Sequence, residues 1–203
     1  MRTDRAPLLF CVALAVFAAV GCQSGPAPRD HFYRMVLPAP TPLAKPSLAG
    51  TLEVDRLRVE AVAQGRRILF RESGGSGEVR QHVYHQWSDP PSVMIQDQMV
   101  QYLRASGIAD TVVTPVVRVK SDYRVAGRIG HLERSIGGDA ARVTVELELA
   151  LVREVGNELL LIQTYRDERS AAGTDVSSGV KAMEQALAAI LGRFVADVGA
   201  RAN

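Results

Sequence analysis

Cysteine is nearly absent: the chain has two, Cys11 and Cys22, both within the first 22 of its 203 residues. The sequence beyond them therefore offers no disulfide framework, no cysteine nucleophile and no thiolate metal site. A charge imbalance is missing too, since 24 Lys and Arg face 22 Asp and Glu, and bulk electrostatics points to no nucleic acid and no anionic surface. Histidine is sparse. Of His31, His82, His85 and His131, only His82 and His85 are close in sequence, and an offset of three along a strand is expected to put them on opposite faces. A metal site is not expected. No Gly-x-Ser-x-Gly elbow occurs, and Gly74-Gly75-Ser76-Gly77 lacks the Lys-Ser/Thr of a phosphate loop, so it reads as a hairpin turn. Glu146 and Glu148 fall on alternate positions of a solvated strand face, which suits solubility better than acid-base chemistry. No catalytic residues can be assembled, and the expectation is a protein that is not an enzyme.

The length suits one domain, and with 47% apolar and 23% charged residues that domain is globular. Arg2 and Arg5 precede a small and apolar run from Ala6 to Val20, followed by Gly21-Cys22. That is a signal peptide over residues 1–21, too short to span a bilayer comfortably. Ala19-Val20-Gly21-Cys22 resembles the lipobox of bacterial lipoproteins, in which the chain is cut after the residue at Gly21 and the cysteine at Cys22 is acylated. Ala19 and Val20 depart from the usual Leu and Ala or Ser, and a leader without lipid, cut nearby, is the alternative. Cleavage would remove Cys11, and the lipid on Cys22 is the only attached group expected, with no other cofactor. Gln23 in place of Asp favours the outer membrane by resemblance to lipoprotein sorting signals.

Residues 22–50 are expected to form a lipid-anchored tether, because Pro26, Pro28, Pro38, Pro40, Pro42 and Pro46 prevent regular structure through most of it. A short strand is expected at 31–37, where Phe32 and Tyr33 stand. Residues 51–203 form the single periplasmic domain. Leu52, Val54, Leu57 and Val59 alternate with a break in phase, as in a bulged strand. Ile68–Glu72 and Val79–Tyr84 flank the glycine turn as a hairpin. Residues 118–168 read as a three-stranded meander, whose middle member alternates Val143, Val145, Leu147, Leu149 and Leu151 with polar neighbours. One helix begins with Asp89 as N-cap and Pro90 at its first position, carries Ile95, Met99, Tyr102 and Leu103 on one stripe, and ends at Gly107. A second follows Thr174-Asp175 and keeps Val176, Val180, Met183, Leu187, Ile190, Leu191, Phe194 and Val198 at helical spacing. The fold class expected is α+β: a mostly antiparallel, mixed sheet with two amphipathic helices packed on one face, the first helix making a crossover that gives one parallel pair. Arg66, Arg67 and Arg71 form a cationic cluster at the hairpin base, suited to lipid headgroups or an acidic partner.

Three features in order carry a family resemblance: Phe32-Tyr33 with Leu37 soon after Cys22; Ile68-Leu69-Phe70-Arg71 followed by Trp87-Ser88-Asp89-Pro90; and the Ala-rich helix from Ala182 to Leu191. Together they resemble the ABC-type transport auxiliary lipoprotein family (PqiC-like), with Phe70 where many members have Tyr. The resemblance implies a lipid-anchored, non-catalytic auxiliary component of an intermembrane lipid transport system, working at the outer membrane. Its partners would be a periplasm-spanning Mce-domain protein and an ABC permease or related inner-membrane component, and a homo-oligomer is compatible with it. Phe32, Tyr33, Trp87, Arg66, Arg67 and Arg71 are the candidate interface residues, with a core role for Trp87 as the simpler reading. The competing reading is a structural or regulatory lipoprotein that braces a different envelope complex.

Overall fold

A computed structural model of the chain describes residues 27–75, 77–137 and 141–201. Residues 1–21, read above as a signal peptide, and Cys22 lie outside the described residues. In chain order the strands are β1 (His31–Tyr33), β2 (Leu48–Val54), β3 (Arg58–Val59), β4 (Arg67–Glu72) and β5 (Arg80–Trp87). Helix α1 (Pro91–Ser106) leads to β6 (Ala109–Val113), β7 (Tyr123–Ile136), β8 (Arg142–Arg153), β9 (Glu158–Ser170) and helix α2 (Val176–Arg201). The nine described strands make one mixed sheet, and the class is α+β.

The meander appears as the residue pattern dictates: β7, β8 and β9 pair antiparallel along nearly their whole length. Gly156 (φ 80°) and Asn157 (φ 51°) supply the left-handed residues of the β8–β9 turn. Val143, Val145, Leu147, Leu149 and Leu151 all point inward and are buried, while the opposite face carries Glu146, Glu148 and Arg128. The β4–β5 hairpin also forms, with Leu69 opposite Gln81 and Phe70 opposite Arg80.

Parallel pairing goes further than the single pair expected. β2, β3 and β4 lie in succession along the free edge of β7, all parallel to it, as Leu52–Val54 against Tyr123–Val125, then Arg58-Val59 against Arg128-Ile129, then Leu69–Glu72 against Glu133–Ile136. The break in phase between Val54 and Leu57 is thus one interrupted strand, and Ala61–Ala63 form a 3-10 turn in the second interruption. β6 adds parallel to β2, and β1 parallel to β5. These pairings join segments up to about 70 residues apart, which no local periodicity encodes.

Both helices cover the same apolar face. The α2 stripe from Val176 to Val198 is buried as spaced, packed on β8 and β9, and Phe194 meets Tyr165 edge to face at 6.2 Å between centroids. Asp175 caps α2, accepting the Ser178 N–H at 2.9 Å and both neighbouring serine hydroxyls. Those bonds hold its carboxyl well below the usual carboxylate range. In α1 the cap is displaced by one residue from the expectation: Pro90 is the N-cap and Pro91 the first helical residue. Asp89 instead accepts the Ser88 hydroxyl at 2.9 Å. Two prolines in succession leave fewer orphan N–H groups for a carboxylate to satisfy. Gly107 closes the helix at φ 67°, as expected. Among the described residues no helix is long and apolar enough to cross a membrane.

Residues 34–47, assigned from composition to the tether, lack regular structure but are held against the helices. Met35 is buried, the Val36 and Leu37 N–H groups donate to Glu184 and Gln98, and those of Leu43 and Ser47 donate to the Ser106 and Ile108 carbonyls.

Candidate docking site

The strand at 31–37 is shorter than expected, His31–Tyr33, and it extends the sheet beyond β5 with His31, Phe32 and Tyr33 opposite His85, Gln86 and Trp87. Two further bonds lock this corner: the Trp87 N–H donates to the Arg66 carbonyl at 2.6 Å, and the Ser88 N–H to that of Tyr33 at 2.7 Å. Alternation then separates the side chains into two faces. His31, Tyr33, His85 and Trp87 turn toward the helices, Phe32 and Gln86 away from them. Trp87 is 1% exposed and belongs to the core, as its simpler reading held. Phe32 is 58% exposed, with the Arg66 guanidinium over its ring at 5.8 Å. Arg66 also donates to the Ser88 carbonyl.

Of the six interface candidates, the structure thus brings Phe32, Tyr33, Trp87 and Arg66 into contact, and places Arg67 beside them, opposite Gln86 on the outer face. Arg71 does not join them. Four residues along β4 carry it about 13 Å away, where it forms an ion pair with the buried Glu133. The three arginines are therefore not one patch. Cys22 and Gly21 lie outside the described residues.

The inner face of the corner holds a cluster that sequence reasoning missed. His82 and His85 share this face, their rings 5.3 Å apart, contrary to the opposite placement expected. The cause is a bulge: between the Leu69–Gln81 and Arg67–Gln86 pairs, β4 advances two residues and β5 five. Val83 and Tyr84 are both exposed in between, and the side-chain phase is reset. His31 stacks on His85 at 4.9 Å, and the Tyr33 hydroxyl lies 2.9 Å from His85 Nδ1.

Arg134 anchors the cluster. It is 1% exposed, and it donates from Nη1 to His82 Nε2 at 3.2 Å and from Nη2 to the Thr174 and Asp175 carbonyls at 2.8 and 3.0 Å. A guanidinium has no acceptor, so His82 must present a bare Nε2. Burial, then Arg134 and His85, push the His82 pKa down to about 4, and burial, His31 and Arg134 lower that of His85. A cleft of about 420 Å³ opens here, lined by His82, His85, Arg134, Ile136 and Val176 among others. One sequence signal for it existed: past the β7 bulge at Gly130, Arg134 sits in the inward phase between Leu132 and Ile136. Among the described residues no group of three His, Cys, Asp or Glu side chains is placed to hold a metal ion.

The family model of the ABC-type transport auxiliary lipoprotein component matches residues 33–194. The chain belongs to this family. The match begins at Tyr33, the last residue of β1, and ends within α2, so it covers β4 and β5 of the corner while His31 and Phe32 precede it. Protein XCC0632 from Xanthomonas campestris is similar at a TM-score of 0.71 and 24% identity, over 81% of this chain and 92% of its own. A solved structure described only as an uncharacterized protein is similar at a TM-score of 0.66 and 14% identity, over 84% of this chain and 99% of its own. These likenesses show the shared fold. No curated protein matches this auxiliary lipoprotein. Membership of a lipoprotein component family agrees with a place in the cell envelope.

Proposed function

We propose that the protein is the lipid-anchored, non-catalytic outer-membrane end of an ABC-linked, Mce-type intermembrane lipid transport system. In this role Cys22 carries the lipid, and the domain docks a periplasm-spanning Mce-domain protein whose inner-membrane partner is an ABC permease or a related component. The observation that carries the reading is the family match over residues 33–194 in a chain whose first 22 residues have the form of a leader and lipobox. The structure lends support. Its polar cluster is spent on holding elements together, with Arg134 and His82 committed to each other and to the α2 entry, and its exposed edges suit docking better than turnover.

A pull-down of the intact lipoprotein from its native envelope in mild detergent, with proteins and lipids identified by mass spectrometry, tests this. Recovery of an Mce-domain protein with an ABC permease is the expected result. Recovery of a cell-wall or lipopolysaccharide complex in their place would overturn it in favour of a bracing lipoprotein.

A further inference from the structure

Among the exposed apolar side chains, two groups lie at different distances from the anchor. Because residues 31–47 are bound to the domain, Cys22 can stand no farther from it than the nine residue steps to His31 allow. Fully extended, these reach about 30 Å. The β1 corner must stay within that distance of the bilayer. Val116, Val117, Val119 and Val155, all exposed, belong instead to the loops at the Tyr123 end of β7. Arg67, opposite Gln86, stands two residues before Leu69, which pairs with Glu133, so this second group is removed from the corner by roughly eight residues of strand, or about 26 Å.

Around Phe32 the outer face has the chemistry of a headgroup layer. Tyr84 is 42% exposed, Arg66 lies over the Phe32 ring, Arg67 is exposed beside Gln86, and Arg29 and Arg34 are exposed on either side of β1. Rings at an interface bury their apolar body among glycerol and upper acyl groups, and arginines pair with phosphates.

We propose that the outer face of the β1–β5–β4 corner, centred on Phe32, Tyr84, Arg66 and Arg67, seats the domain on the phospholipid surface that holds its anchor, leaving the valine-rich end of β7 turned into the periplasm. The proposal rests on the lipid anchor at Cys22. The acylated cysteine has no free thiol, so single spin labels can be placed at F32C, Y84C and V117C in the mature lipoprotein and reconstituted in vesicles of phosphatidylethanolamine and phosphatidylglycerol. Labels at 32 and 84 are expected to relax more with oxygen than with a water-soluble nickel complex, and the label at 117 to do the reverse. Equal water access at all three positions, or lipid contact at 117 alone, would overturn the proposal and make the corner a protein-docking surface. The R66Q/R67Q pair is expected to lose the oxygen preference at position 32, and its retention would remove the arginines from the contact. Flotation of unlabelled protein with the vesicles checks the anchor separately. These readings use no transport partner, so they are independent of the pull-down.

Discussion

At the scale of single residues, His82 is the group whose charge state the fold dictates. Its pKa is about 4 in the folded chain, against 6.5 as its ordinary value. Between these values an unfolded chain takes up a proton that the folded chain refuses, so stability falls as pH drops through this window. Above 6.5 the histidine is neutral in both states and contributes no slope. The H82Q variant is expected to flatten the change in urea midpoint between pH 7.5 and pH 5, and an unchanged slope would place the pH sensitivity elsewhere. Trp87 is, in sequence, a candidate for the interface with the core as its simpler reading, because a large apolar ring gains most by burial, and it is buried. The His82–His85 pair was not legible, since one bulge in β5 inverts the face on which every later residue lies. Arg134 stood in plain view within an apolar phase, but only the α2 entry across from it reveals what it bonds.

Element packing is where sequence and structure agree most and also where they part. The β7–β8–β9 meander and both helices follow from local spacing, because hairpins and amphipathic helices carry their own turn and cap signals. The parallel contacts of β2, β3 and β4 with β7 carry none, and so the sheet's order was not legible. Helix α2 meets Arg134 of β7 at its first turn, at Gly179. A Cβ there would lie 2.4 Å from Arg134 Nε and 2.8 Å from its Cδ, and Arg134 is fixed at its far end by three hydrogen bonds. G179A is therefore expected to destabilise the domain by about 1–3 kcal/mol despite the helix preference of alanine. Urea unfolding of the purified domain measures this, and a gain in stability would mean that Arg134 can swing aside without loss.

For the whole molecule the decisive length is the tether, which is far shorter than its proline content suggested, since β1 and residues 34–47 are bound to the body. Inserting a flexible Gly/Ser segment of roughly 20 residues between Gly25 and Pro26 is expected to leave the urea midpoint unchanged while reducing lipid contact of a label at position 32, because effective concentration at the surface falls with linker length. Unaltered contact would mean that the corner binds the bilayer without help from proximity. The place of β7 has a further consequence, for the order of events during export. β2 and β4 pair also with β6 and β5, but only β7, at residues 123–136, joins those pairs into one sheet, so a chain emerging N-terminus first cannot complete its sheet until well over half of it has crossed. With the lipid anchor proposed above, the lipid would reach the membrane ahead of the fold, and the half-exported chain is the form that periplasmic chaperones would have to shelter.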